Sequence, residues 1–326
     1  MTIHKPVLLK ETIELLNLKK GMTVVDATLG GGGHGREILE RVGDGGRLIA
    51  FDLDIHAIES FAEFSIFNFQ FSNNYQIPIY KFQNIILANA NFTDLEKVLE
   101  VLEIEKVDAV MADLGWSSDQ LTGKGMSFQA DEKLDMRLDE SQELTAKKIV
   151  NEYAEEDLGK ILREYGEEKF WRVITRRITE YRKSKGIETT QELAEIIKSA
   201  VPPKYRYAKI HPATKTFQAI RIEVNQELSN LKKFIPQAIE VLVSGGRLAI
   251  ISFHSLEDRI VKHMFAEDAR GSISTDPITG QKIVERAPVT KLITKKPVAP
   301  AEEEIGENPR ARSAKLRVCE RLRNTK

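Results

Sequence analysis

A chain of 326 residues that is 41% hydrophobic and 30% charged has the make-up of a globular protein with a substantial core, in one large or two modest domains. A formal net charge of −1 confines any polyanion-binding surface to local patches, and the single cysteine, Cys319, excludes intramolecular disulfides and a cysteine-built zinc site. No apolar stretch approaches the roughly 18 residues of a membrane span, and the amino terminus lacks a signal-peptide core, so no membrane partner and a cytoplasmic location are expected.

Apolar runs near 23–27, 47–53, 84–89 and 107–113 read as strands, with helical patterns near 34–42, 55–64 and 93–103 between them. This alternation predicts βαβ units and a parallel sheet. The first strand ends in Asp26 and is followed by Gly30, Gly31, Gly32 and Gly33 before a helix begins around His34. A strand that breaks into glycines and re-enters as a helix gathers backbone N–H groups and a positive helix end at one point. Glycine tolerates the positive φ such a turn needs and leaves room for a ligand. A nucleotide-like cofactor follows. Gly30 to Gly35 satisfies the dinucleotide pattern G-x-G-x-x-G, with Asp52 and Asp54 ending the second strand, but four consecutive glycines satisfy many patterns. Asp52 is placed either to accept hydrogen bonds from ribose hydroxyls or to cap the next helix as a turn carboxylate. His34 either contacts the cofactor or caps its helix. Residues 61–82 crowd eight aromatic side chains, Phe61 to Phe82, which are expected to pack in a core or an interface.

The fourth strand runs into Asp113-Leu114-Gly115-Trp116-Ser117-Ser118-Asp119-Gln120. An acid, a glycine, an aromatic and two hydroxyls then leave the carboxyl edge of a central strand, where open α/β sheets do their chemistry. In the alternative reading Asp113 or Ser117 only starts a helix. Residues 130–212 are helix-rich, which predicts an insertion within a discontinuous core of 1–129 and 213–326. Charge is segregated inside it: six Lys/Arg against thirteen Asp/Glu over 131–168, then twelve against four over 169–215. Tyr165, Trp171, Tyr181, Tyr205 and Tyr207 interleave with these charges, as on nucleic-acid surfaces, although a solvated helix face has the same composition. A strand near 247–253, after a Gly245-Gly246 turn, ends in Ser252-Phe253-His254-Ser255, where Ser255 is a candidate N-cap and His254 is structural or catalytic. Residues 270–310 read as connecting structure before a last strand near 313–320. Arg310, Arg312, Lys315, Arg317, Arg321 and Arg323 form a second basic cluster. No H-E-x-x-H and no G-x-S-x-G occurs, and no metal is expected.

Eight motifs in order carry a resemblance to a known family. They are His4-Lys5-Pro6-Val7-Leu8-Leu9, Gly31-Gly32-Gly33-His34-Gly35, Asp113-Leu114-Gly115-Trp116-Ser117-Ser118 and Leu134-Asp135-Met136-Arg137. Tyr165-Gly166-Glu167-Glu168, the run from His211 to Ile222, the run from Ile251 to Arg259, and Asn308-Pro309-Arg310-Ala311-Arg312-Ser313 complete the set. Together they resemble the bacterial 16S ribosomal RNA cytosine-N4 methyltransferases. The resemblance implies an α/β class I S-adenosylmethionine-dependent methyltransferase, with a Rossmann-like open sheet and an inserted helical domain for RNA recognition. It further implies methylation of the exocyclic N4 of a decoding-centre cytosine, with 16S rRNA in the small ribosomal subunit or a late assembly intermediate as partner. Cofactor contacts carry over to Gly32, Gly33, His34, Asp52, Phe92, Asp113 and Gln120. Acceptors around Asp113 are expected to hold the amino group, with Trp116 or Phe253 stacking the flipped base and His254 beside them. Arg176, Arg177, Lys215 and Arg221 of the insertion, and Arg310 and Arg312 of the tail, are expected to grip phosphates. Two departures stand out: the aromatic 61–82 segment is longer than the family's usual connection, and Trp116 replaces a smaller aliphatic residue. Two other functions use the same features, a nicotinamide-dependent oxidoreductase and a non-catalytic RNA-binding assembly factor. Oligomeric state, homodimer included, is left open.

Overall fold

The computed structural model describes residues 5–65, 71–72, 77–116, 123–208, 210–275 and 281–323. In chain order the amino-terminal part gives α1 (Leu9–Leu16), β1 (Thr23–Asp26), α2 (Gly33–Val42), β2 (Arg47–Asp52), α3 (Ile55–Ser65), β3 (Phe71–Ser72), β4 (Ile79–Phe82), β5 (Ile85–Asn89), α4 (Leu95–Val101) and β6 (Val107–Asp113). Helices α5 (Ala146–Glu152), α6 (Glu155–Glu164), α7 (Trp171–Tyr181), α8 (Thr190–Ala200) and α9 (Thr214–Val224) follow without a named strand. The chain then gives α10 (Glu227–Glu240), β7 (Leu242–Ser252), α11 (Ser255–Arg270), β8 (Ser272–Thr275), β9 (Lys282–Arg286), β10 (Thr290–Leu292), α12 (Glu302–Glu307) and β11 (Lys315–Arg321).

Among the described residues one sheet has the order β10-β11-β7-β6-β1-β2-β5-β4-β3. Its centre, β7-β6-β1-β2-β5, is parallel, and β11 and β4 pair antiparallel at either side. The inner strands are buried almost end to end, as a sheet covered on both faces requires. Away from the irregularity in β6, side chains alternate between two cores. Val25, Ile49, Phe51, Val110 and Ile250 pack with Phe234 and Phe265 on one face, while Val24, Leu48, Ala50, Met111 and Val318 pack with Ile13 and Ile38 on the other. The expected α/β class with an open, mainly parallel sheet is therefore present.

The chain divides into two compact units, 1–115 with 228–326, and 116–227. The insertion is thus larger than the expected 130–212. The reason lies in its core: Phe217, Ala219, Ile220 and Val224 of α9, and Met126 and Phe128 before α5, pack with Leu158, Ile174, Ile178 and Leu193. Helical spacing carries that core, as in Leu158–Leu162 and Ile174–Ile178. Thr189 and Glu192 form a capping box that fixes the start of α8. The Leu-Asp-Met-Arg motif is a structural clasp. Arg137 donates to both oxygens of Asp135 at 2.7 and 2.8 Å and to the carbonyls of Glu140 and Gln142, with Met136 fully buried between them.

Three further local expectations change. Gly245 and Gly246 lie inside β7 rather than before it, in an irregularity where Val107 and Ala109 of β6 pair with Leu242 and Arg247. Helix α10 falls where no element is expected, because Pro236 inside it masks the helical pattern. The supposed connection over 270–310 contains the antiparallel pair β8–β9. Within 61–82, Phe61 is a fully buried core side chain of α3, and β4 extends the sheet beyond β5.

Candidate active site

Three carboxylates end neighbouring parallel strands at one edge: Asp26 on β1, Asp52 on β2 and Asp113 on β6. Between β1 and β6 the strand order reverses, which opens a crevice at the carboxyl ends of an α/β sheet. The loop after β1 ties these acids together. Thr28 N–H donates to Asp26 Oδ1 at 3.2 Å, Gly30 N–H to Asp52 Oδ2 at 2.8 Å, and Asp113 N–H to Thr28 Oγ1 at 2.6 Å. Asp54 N–H donates to the second Asp52 oxygen at 2.8 Å, and Gly115 N–H to Asp113 Oδ1 at 2.9 Å. Asp52 is therefore a turn carboxylate with backbone donors on both oxygens, the Leu53 N–H acting on it besides those of Gly30 and Asp54.

Burial dominates the electrostatics. It raises the Asp52 pKa to about 6 and that of Asp113 to about 7, against the lowering effect of their backbone donors. Asp26 is fully buried, and among the described residues its Oδ2 has no hydrogen-bond partner. Its pKa lies well above the ordinary carboxylate range, from burial first and then from the Asp113 and Asp52 charges. The fold thus retains a proton on Asp26 that the unfolded chain releases above about pH 3.9, so Asp26 subtracts stability as pH climbs from there. Asp26→Asn removes that loss. Its melting temperature relative to wild type should rise between pH 4 and pH 8, and a difference that does not change with pH contradicts the assignment.

The glycine loop is shaped from within the protein. Gly32, at φ +71, is the N-cap of α2, and a Cβ there would overlap the Phe61 ring. A Cβ on Gly33 would stand 2.7 Å from Pro6 Cγ. His34 accordingly is not the cap. It is buried in the first turn of α2 with Nδ1 3.8 Å from Asp113 Oδ2. Opposite, Phe253 covers Gly115 so closely that a Cβ would stand 2.7 Å from its ring. Asp113, Gly115, His34 and Phe253 are thus brought together.

His254, expected as structural or catalytic, is the N-cap of α11 in place of Ser255: Glu257 N–H donates to His254 Nδ1 at 3.4 Å, and Glu257 Oε2 accepts from the N–H groups of Phe253 and His254. Histidine escapes the usual N-cap residue set, so the sequence signal pointed one residue too far. Phe92 follows β5 at the same edge of the sheet, half-buried, its ring 5.0 Å from that of Phe234. Gln120 lies outside the described residues.

A model of the MraW methylase family matches residues 1–322. The ribosomal RNA small subunit methyltransferase H of Acetivibrio thermocellus is 47% identical over 323 residues, 98% of this chain and 99% of that one. The protein of the same name from Clostridium botulinum strain Kyoto is 46% identical over 321 residues, with the same coverage. The chain belongs to the MraW methylase family. Within a methylase, the dinucleotide pattern in the glycine loop is a coincidence of four adjacent glycines, and an acidic crevice suits a cationic methyl donor.

The basic residues of this methylase divide by environment. Arg176 and Arg177 are exposed on α7, Lys215 is exposed on α9 with its ammonium on the Glu167 carbonyl, and Arg310 and Arg312 are exposed before β11. Arg221 is different. Glu227 holds its guanidinium bidentately at 2.8 and 3.1 Å, and it lies 5.2 Å over the Trp116 ring, so it braces that indole rather than standing open to a phosphate. Half of the tail cluster also dissolves. β11 is an inner strand, so Arg317 is buried against Asp258 at 2.6 Å, Lys315 reaches the other Asp258 oxygen, and Arg321 is buried on Glu240 and the Ile239 carbonyl. Sequence reasoning missed Asp26 and Thr28 as site residues. The repetition of Asp at three strand ends was the available signal.

Proposed function

We propose that this methylase transfers a methyl group from S-adenosylmethionine to the exocyclic N4 of a decoding-centre cytosine in 16S rRNA, acting in the cytoplasm on the small ribosomal subunit or a late assembly intermediate. The observation that carries the reading is the convergence of Asp26, Asp52 and Asp113 beside the glycine loop in a chain of the MraW methylase family. Bound there, S-adenosylmethionine supplies a methyl group on a positively charged sulfur. Of the three acids, Asp52 and Asp113 ionise near neutral pH and attract such a cation in a low-dielectric crevice, and Gly32, Gly33 and the first N–H groups of α2 offer a carboxylate-binding helix end. Asp52 accepts hydrogen bonds from ribose hydroxyls. Phe92 and His34 line the same edge.

Cytosine N4 is a poor nucleophile because its lone pair is delocalised into the ring. Asp113 accepts a hydrogen bond from the amino group, which favours a pyramidal nitrogen and leaves the lone pair free to attack. The surplus proton of the methylated amine passes to Asp113 or to water. A carboxylate with a pKa of about 7 is well matched to a proton near neutral pH. The base leaves its stack to reach this edge, and Phe253 or Trp116 holds its flat face. Most of the acceleration is alignment and electrostatics.

Labelled methyl transfer from S-adenosylmethionine to small-subunit particles tests the reaction, and failure to label 16S rRNA in any particle contradicts it. Asp52→Ala should weaken S-adenosylmethionine binding by about 10- to 100-fold, the loss of hydrogen bonds to a charged acceptor. Calorimetric titration reads it, and an unchanged Kd removes Asp52 from the site. Neutralising Arg176 and Arg177 together should reduce the slope of log K against log salt by about 1.4, since each phosphate contact on single-stranded RNA contributes roughly 0.7. Arg221→Gln should leave that slope unchanged.

A further inference from the structure

The helical unit contains a groove of 690 Å³ between α6 and α7 that the reaction does not use. Trp171 forms one wall. Two guanidinium groups lie over its indole, Arg172 at 4.5 Å and Arg163 at 5.6 Å from the ring centroid. Gly159, in the middle of α6, faces the same ring, and a Cβ there would come within 3.0 Å of Trp171 Cζ3. Glycine costs a helix interior about 1 kcal/mol relative to alanine. At this position it lets the indole lie against the backbone of α6. Thr175, one turn after Trp171, lines the groove; it is 2% exposed, and among the described residues its hydroxyl has no hydrogen-bond partner.

The remaining walls are charged in a sorted way. Lys160, Arg163, Arg172 and Arg176 supply cations, and Glu155, Glu156 and Asp157 of the first turn of α6 supply carboxylates. An aromatic platform with guanidinium groups beside it is the chemistry that binds unpaired nucleotides: a base stacks, and arginines take the phosphate. The carboxylates accept from base amino and imino groups and repel a phosphate toward the arginine side.

We infer that this groove holds one unpaired nucleotide of the RNA substrate, its base on the Trp171 ring in place of Arg163 and its phosphate on Arg172 and Arg176. The inference rests on the RNA reading above and assigns it a docking point separate from the reacting carboxylates. A base and a guanidinium make the same flat contact with an indole. Exchanging one for the other releases Arg163 to the phosphate without exposing the ring. The Thr175 hydroxyl is buried beside the glycine, 3.6 Å from where a Cβ on Gly159 would stand.

The chain has two tryptophans, Trp116 and Trp171, so Trp116→Phe leaves Trp171 as the sole tryptophan and its emission can be excited selectively. Titrating that variant with a single-stranded oligoribonucleotide should quench its emission saturably. Steady-state methylation supplies a second reading: Trp171→Leu and, separately, Arg172→Gln should raise KM for the RNA about tenfold, the size of one lost base–aromatic stack, with kcat and the Kd for S-adenosylmethionine unchanged. Thr175→Val, which removes only a hydroxyl, guards against misfolding of the larger changes and should raise KM in the same direction. Absence of quenching together with an unchanged KM in all three variants overturns the inference. Quenching by polyglutamate and not by RNA overturns it in favour of an acidic protein partner. The fluorescence arm needs no turnover, so quenching of Trp171 in the Trp116→Phe variant, together with wild-type protein that transfers no methyl group, would refute the proposed reaction and leave the groove assignment standing.

Discussion

Asp113→Ala lowers kcat/KM for methyl transfer to small-subunit RNA by about 10²- to 10³-fold, the range expected for one preorganised polar group aimed at the reacting centre. The fold should survive, because Asp113 is a raised-pKa carboxylate whose ionisation burial opposes, and its recorded backbone acceptor role is a single bond from Gly115. Asp113→Asn is the sharper variant. It keeps the shape but presents an amide N–H₂ to an amino group that needs an acceptor, so the same loss is expected, while the melting temperature at neutral pH should rise because a carboxylate with a raised pKa is removed. The wild-type pH profile carries the same information. Asp113 is the stronger acceptor, and can take up the surplus proton, only when ionised, and burial moves its pKa up to about 7. The rate should therefore fall as pH drops through about 7, three units above where an ordinary aspartate titrates. An acid limb near pH 4, or none, would show that Asp113 is not the group that must be ionised.

Gly32→Ala should cost about 2–5 kcal/mol of stability. A left-handed backbone costs an L-residue about 1–2 kcal/mol, and forcing a methyl into a packed core about 1–3 more. Both apply here, since Gly32 sits at φ +71 and its missing side chain is the space the Phe61 ring fills. Phe61 is itself fully buried, with Arg36 5.4 Å over its ring, so it has little room to withdraw. The double variant Gly32→Ala/Phe61→Ala separates the two contributions. It should recover the steric part and retain the backbone part, giving a non-additive cycle. Additive losses in thermal denaturation would mean that the ring does not set the loop.

The sheet was legible because its strands are short apolar runs ending in Asp or Ser and punctuated by glycine, a pattern that survives without any tertiary knowledge. Asp52, Asp113 and Phe253 were legible for the same reason: strand ends in a parallel sheet share one edge. What stayed hidden depends on neighbours distant in sequence. Arg317 and Arg321 read as surface cations until β11 is placed inside the sheet, where Asp258 and Glu240 must neutralise them. Arg221 reads as a phosphate ligand until Glu227 closes on it. His254 reads as either structural or catalytic until its place as the N-cap of α11 is seen. The insertion boundaries slipped outward because α9 is amphipathic toward the helical core, a preference that its sequence does not distinguish from packing on a sheet.

The central claim is that the methyl group lands on N4 of a cytosine in 16S rRNA. Mass mapping of nuclease fragments of small-subunit RNA, from cells lacking this protein and from the same cells carrying wild-type or Asp113→Asn protein, tests it most directly. The account predicts a 14-dalton deficit on one decoding-centre cytosine in the deletion, about one CH₂ group, restored by wild type and not by Asp113→Asn. An unchanged methylation pattern in the deletion, or restoration by Asp113→Asn, would contradict it.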